Sequence, residues 1–74
     1  MEKLLEILKE IKSDIDFETE TGLVDSGLID SLEIVEIITA IEAEYGIEID
    51  PDDIDPDNFQ SAEAMWNMIE KILA

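Results

Sequence analysis

Aliphatic residues recur at helical spacing in three separate stretches of this 74-residue chain, and that periodicity limits what it can fold into. In the first stretch Leu4, Leu8, Ile11 and Ile15 share a stripe with Ile7 alongside, while Glu2, Lys3, Glu6, Lys9, Glu10 and Lys12 mostly lie off it. The spacing predicts an amphipathic helix over about residues 2 to 13. The second stretch opens on Asp30-Ser31-Leu32-Glu33, which fits a capping box with Asp30 as N-cap and Glu33 at the third helical position. Ile29 before the cap and Ile34 after it suit a hydrophobic staple, and Gly46 suits the end of a helix running to about Tyr45. The third stretch is capped by Ser61 and spans about residues 62 to 73. It sets Ala62, Met65, Trp66, Ile69, Ile72 and Leu73 against Glu63, Asn67, Glu70 and Lys71.

Residues 14 to 29 hold no sustained period. Gly22, Ser26 and Gly27 mark turns, and Ile15, Phe17, Leu23, Val24 and Leu28 offer apolar anchors, so this long loop is expected to be packed down by its own side chains. After Gly46, Ile47 and Ile49 alternate with acids as a short extended link. Asp50-Pro51 reads as a cap with proline at the first helical position, opening a short turn through about Ile54 that Pro56 stops. The expectation is an all-α chain, three main helices and one short one around a single core, in one domain over residues 1–74. No repeat or linker interrupts it, and the Asp-rich turn from Asp50 to Asp57 is its one compositionally biased stretch.

The chain has no cysteine and no histidine. That excludes disulfides, thiolate or imidazole metal sites, and any nucleophile that depends on a His base or a Cys. It argues against a self-contained enzyme, and no catalytic residue is assigned. The net charge is −17, and no Lys or Arg stands between Ser13 and Glu70, a stretch that holds every acid but Glu2, Glu6 and Glu10. Such a field disfavours nucleic-acid phosphate and anionic membrane, and favours a protein partner with basic patches. No apolar run approaches the ~20 residues of a membrane span, and the N-terminus shows no secretory signal, so a cytoplasmic protein without membrane insertion is expected. A monomer is expected as well.

Projected at about 100° per residue, the second helix turns Ile34, Ile37, Ile38, Ile41 and Tyr45 toward the core. The opposite face carries Leu32, Glu33, Glu36, Thr39, Ala40, Ala43 and Glu44, one bulky apolar residue among carboxylates and small residues. Ser31 takes the first helical position, where free N–H groups and the helix dipole favour an attached phosphate.

The run Gly27-Leu28-Ile29-Asp30-Ser31-Leu32, the acidic helix ending Glu42-Ala43-Glu44-Tyr45-Gly46-Ile47-Glu48-Ile49 and the Asp-rich turn after it resemble the acyl and peptidyl carrier family. The resemblance covers nearly the whole chain, most closely residues 22 to 73. It implies that Ser31 receives 4′-phosphopantetheine from a phosphopantetheinyl transferase, with Asp30 and Leu32 as its motif neighbours. The arm would supply the thiol that the chain lacks, and acyl or aminoacyl cargo would ride on it as a thioester between a loading enzyme and downstream synthases or transferases. The helix face just described would be the partner-binding surface, and an acyl chain would slip between helices near Ile41, Ile49 and Ile54. Carriers of bulk fatty-acid synthesis usually read Gly-Ala-Asp-Ser-Leu. Here Leu28 and Ile29 separate Gly27 from Asp30, which is more similar to specialised free-standing carriers, including D-alanyl carriers of teichoic acid modification, although those often have Phe where this chain has Leu32. Fatty-acid, polyketide, peptide and D-alanyl pathways all remain open at this level.

Two readings from other classes compete. Asp53, Asp55 and Asp57 match the first three ligand positions of an EF-hand loop, but Asn58 replaces its glycine and Ala64 falls where a bidentate Glu is required, so no metal site is assigned. An acidic adaptor that binds a basic protein without any prosthetic group would share the same charge.

Overall fold

The computed structural model describes all residues from 1 to 74. Three α-helices form: α1 over Glu2–Ile11, α2 over Ser31–Tyr45 and α3 over Ala62–Leu73. The expected short helix does not form as an α-helix. Two 3-10 turns stand in its place, Pro51–Asp53 and Pro56–Phe59. Each has an aspartate cap and a proline in its first turn: Asp50 accepts from the Asp52 N–H, and Asp55 from the Asp57 N–H, both at 2.9 Å. Pro56 therefore both ends one turn and opens the next, where the sequence suggested only a stop.

Local chemistry sets the helix boundaries. At α2 the capping box is complete: Glu33 N–H donates to Asp30 Oδ1 at 2.9 Å, and Asp30 N–H donates to Glu33 Oε1 at 3.1 Å. The same helix closes on Gly46 in the left-handed region, φ 63°, which glycine enters without a Cβ clash. Ser61 caps α3 by accepting from the Ala64 N–H at 3.0 Å. The first helix ends a little early, at Ile11, where Lys12 turns extended.

Every α-helix contributes to one core: Leu4 and Leu8 from α1, Ile37 and Ile41 from α2, and Ala62, Met65, Met68 and Ile69 from α3. Removing one such aliphatic side chain to alanine costs about 2–5 kcal/mol. On α3 the stripe is rotated from the sequence expectation, for Met68 is buried while Leu73, at the frayed end, is exposed. Tyr45 and Trp66, the last residue of α2 and a residue of α3, pack with ring centroids 6.0 Å apart at 58°.

The long loop between α1 and α2 is packed down, as its anchors suggested. Ile15, Phe17, Leu23 and Ile29 are buried, with Val24 and Leu28 partly so. Gln60 fastens it from the other side of the core. Its carbonyl accepts from the Leu23 N–H at 2.9 Å, and its side-chain oxygen accepts from the N–H groups of Val24 and Asp25, both at 3.1 Å. These bonds fix the chain that enters α2 and hence the place of Ser31.

Candidate functional site

Four serines are present, and the structure separates them. Ser26 donates to the Gly22 carbonyl within a turn, Ser61 is the cap of α3, and Ser13 stands exposed just beyond α1. Ser31 is exposed at the first position of α2 and borders an open apolar groove of about 300 Å³. Ile34, Val35 and Ile38 of α2 form one wall. Ile54, between the two 3-10 turns, and Pro56 and Phe59 of the second form the other, with Asp55 also lining the groove. Ile54 is 43% exposed, so it belongs to the groove and not to the core.

The nine residues marked in the sequence fall into three groups. Asp30 and Ser31 form the exposed entry to α2. Leu32, Glu36, Thr39 and Ala43 project outward on one face, and Leu32 is 69% exposed. Glu33, Ala40 and Glu44 lie on a different line, turned toward α1. Glu33 pairs with Lys12 at 2.9 Å, Glu44 pairs with Lys3 at 3.9 Å, and Ala40 is partly covered. The outward arc is therefore narrower than the sequence projection drew it. Val35, 57% exposed, belongs on that arc and was missed. Its signal was available, since Val35 stands one turn after Leu32 and one turn before Thr39.

Lys12 was also missed. Its ammonium is held above the ordinary lysine value, chiefly by the hydrogen bond to Glu33 and then by the Glu33 charge. Glu33 thus uses one carboxylate oxygen for the cap and the other for Lys12. In the Asp-rich turn, Asp50 and Asp55 cap backbone N–H groups, and Asp53 pairs with Lys71 at 3.6 Å.

These residues suit a phosphopantetheine arm. Ser31 is exposed, it sits where the first turn of α2 has free N–H groups that would favour a phosphodiester, and the adjoining groove has apolar walls. No helix is long and apolar enough to cross a membrane.

Comparison with known proteins agrees. Residues 2–69 match the family described as "Phosphopantetheine attachment site". The chain is 36% identical over 63 residues to aminoacyl carrier protein 2 of Bradyrhizobium diazoefficiens, an alignment that covers 85% of this chain and 70% of that protein. It is 37% identical over 54 residues to aminoacyl carrier protein 1 of the same organism, covering 73% of this chain and 59% of that protein. No solved structure gives a significant match. The all-helical fold, the exposed serine at the start of α2 and the match along nearly the whole chain lead to one conclusion: the chain belongs to the phosphopantetheine-binding carrier family, whose members are non-catalytic carriers that bear 4′-phosphopantetheine and work with phosphopantetheinyl transferases and acyl-handling enzymes.

Proposed function

We propose that residues 1–74 act as one carrier domain that holds aminoacyl groups as thioesters on a 4′-phosphopantetheine arm attached at Ser31. The observation that carries the attachment site is the exposure of Ser31 at the first position of α2, beside the apolar groove. In the attachment step Ser31 Oγ bonds to the pantetheine-bearing phosphorus of coenzyme A and adenosine bisphosphate leaves. The chain has no histidine to take the hydroxyl proton, so the transferase takes it. Aminoacyl cargo is favoured over a long acyl chain by the names of the two relatives and by the spacing Gly27-Leu28-Ile29-Asp30-Ser31. D-alanyl transfer is one member of that class, and fatty-acyl or polyketide cargo is the alternative.

Leu32, Val35, Glu36, Thr39 and Ala43 form the surface that partner enzymes meet, with Lys or Arg on the partner facing Glu36. The charge of −17 supports action as a monomer, because two copies repel. The test is incubation with coenzyme A and a promiscuous transferase, followed by mass spectrometry. One phosphopantetheine should appear, on Ser31, and Ser31→Ala should remain unmodified with its helical content intact. Persistent modification of Ser31→Ala would overturn the assignment. Offering the loaded protein to an amino-acid-activating enzyme and to an acyl-activating one then decides the cargo class.

A further inference from the structure

We infer that Lys12 is a positioning residue for arm attachment: it clasps Glu33 across the two ends of the long loop and so holds Ser31 in the geometry that a transferase requires. The inference rests on Ser31 being the attachment site. Lys12 is the C-cap residue just after α1, and Glu33 lies in the first turn of α2, so the 2.9 Å contact between Lys12 Nζ and Glu33 Oε2 closes the loop at its base. Glu33 Oε1 accepts from the Asp30 N–H, and Asp30 Oδ1 accepts from the Glu33 N–H. Ser31 lies between these two residues, on the short backbone segment that the reciprocal bonds enclose. Tension on the Glu33 carboxylate therefore passes directly to the backbone that carries the nucleophilic hydroxyl. A charge-assisted bond on one oxygen also restricts the rotamer that lets the other oxygen reach the cap. The pair is only partly exposed, with 33% of the Lys12 and 20% of the Glu33 side-chain surface open, so water competes less than at the other lysines.

Lys9 provides the control. It lies on α1, is exposed, and makes no ion pair, unlike Lys3, Lys12 and Lys71. Replacing Lys9 or Lys12 with Met changes the net charge by the same single unit, and a basic transferase drawn by charge alone should load either variant at least as fast as the wild type. The clasp requires a different result for Lys12.

The experiment measures transferase kinetics with coenzyme A for wild type, Lys9→Met, Lys12→Met, Lys12→Arg, Glu33→Gln and the double variant of Lys12→Met with Glu33→Gln, at a temperature where all are folded, with amide exchange on the unloaded proteins. Lys12→Met should lower kcat by about three- to tenfold with KM little changed, the size expected when a charge-assisted bond that orients a reacting group is lost. Lys12→Arg should restore it. Glu33→Gln keeps an oxygen for the cap but loses the charge, so it should match Lys12→Met, and the double variant should be no slower than either. The amides of Asp30 and Glu33 should exchange faster in Lys12→Met and not in Lys9→Met. The inference is overturned if Lys12→Met loads like Lys9→Met, if Arg fails to rescue, or if the two single effects simply add. A role in stability alone would lower the melting temperature and leave kcat unchanged. Failure of the wild type to load at all would sink the Ser31 assignment instead.

Discussion

Replacing Asp30 with alanine tests whether the entry to α2 is built as described. Alanine removes the acceptor that Glu33 N–H reaches at 2.9 Å and leaves the Glu33 side chain without its reciprocal geometry at the Asp30 N–H. Both groups are near the surface, so water replaces part of what is lost and the full desolvation penalty of a buried orphan does not apply. The expected loss is that of an N-cap with its box, about 1–2 kcal/mol. In a domain of this size each kcal/mol shifts the melting temperature by about 4–8 °C, which gives a fall of roughly 4–16 °C. One effect runs the other way: in a chain of net charge −17, deleting a carboxylate relieves repulsion. Asp30→Asn separates the two, because asparagine caps as well as aspartate and carries no charge. It should melt within a few degrees of the wild type, or above it. The assay is thermal denaturation followed by far-ultraviolet circular dichroism at fixed salt. If Asp30→Ala melts with the wild type, the box does not fix the start of α2. If Asp30→Asn falls as far as Asp30→Ala, the charge rather than the hydrogen bonds is what the helix uses.

Three further outcomes follow from the same geometry. Glu36→Lys should slow transferase loading, increasingly so as salt is lowered, and Leu32→Ala should weaken binding with less salt dependence. Glu63→Lys on α3 should load normally, and equal slowing by Glu63→Lys would show that total charge governs recognition. At ~0.01 M salt the Debye length is roughly 30 Å, so added salt or millimolar magnesium should raise the melting temperature, with calcium acting little better; a sharp micromolar calcium transition would contradict this. The Tyr45 phenol is pushed up by burial first and then by the Glu44 charge, and its buried hydroxyl has no hydrogen-bond partner. Its folded value thus exceeds its unfolded one, so this contribution to stability is complete below the usual ~10 and is lost as pH rises through the raised value. An ultraviolet titration of this single tyrosine should show a late transition, and Lys3→Met, which removes the one cation lowering it, should delay it further.

The helices were legible because their signals are local. Asp30 with Glu33, Ser61 and Gly46 each solve a problem within a few residues of themselves, and the structure places them as their chemistry requires. The Asp-rich turn was less so: Asp-Pro signals the start of a helical turn equally well for an α-helix and a 3-10 turn. At the candidate site the sequence marked Ser31 and four of the five outward residues, Leu32, Glu36, Thr39 and Ala43, and passed over Val35. What the sequence hid was which flank of α2 meets α1. That is a tertiary fact, and it moves Glu33 and Glu44 off the open face and into pairs with Lys12 and Lys3. Gln60 was invisible for the same reason, since its partners in the loop lie 35 and 36 residues away.

The contact between Tyr45 and Trp66 gives the protein an optical probe of its own. These are its only tyrosine and its only tryptophan, and at 6.0 Å between ring centroids light absorbed by the tyrosine passes to the tryptophan before it can be re-emitted. Folded chains should therefore glow almost wholly at tryptophan wavelengths, and tyrosine emission should return only when α2 and α3 part. Tyr45 closes the helix that Ser31 opens, about 20 Å away along its axis. The probe therefore stands at the opposite end of α2 from Ser31. A change in that emission on loading would mean that cargo is felt through the body of the helix pair, with no dye or label introduced to report it.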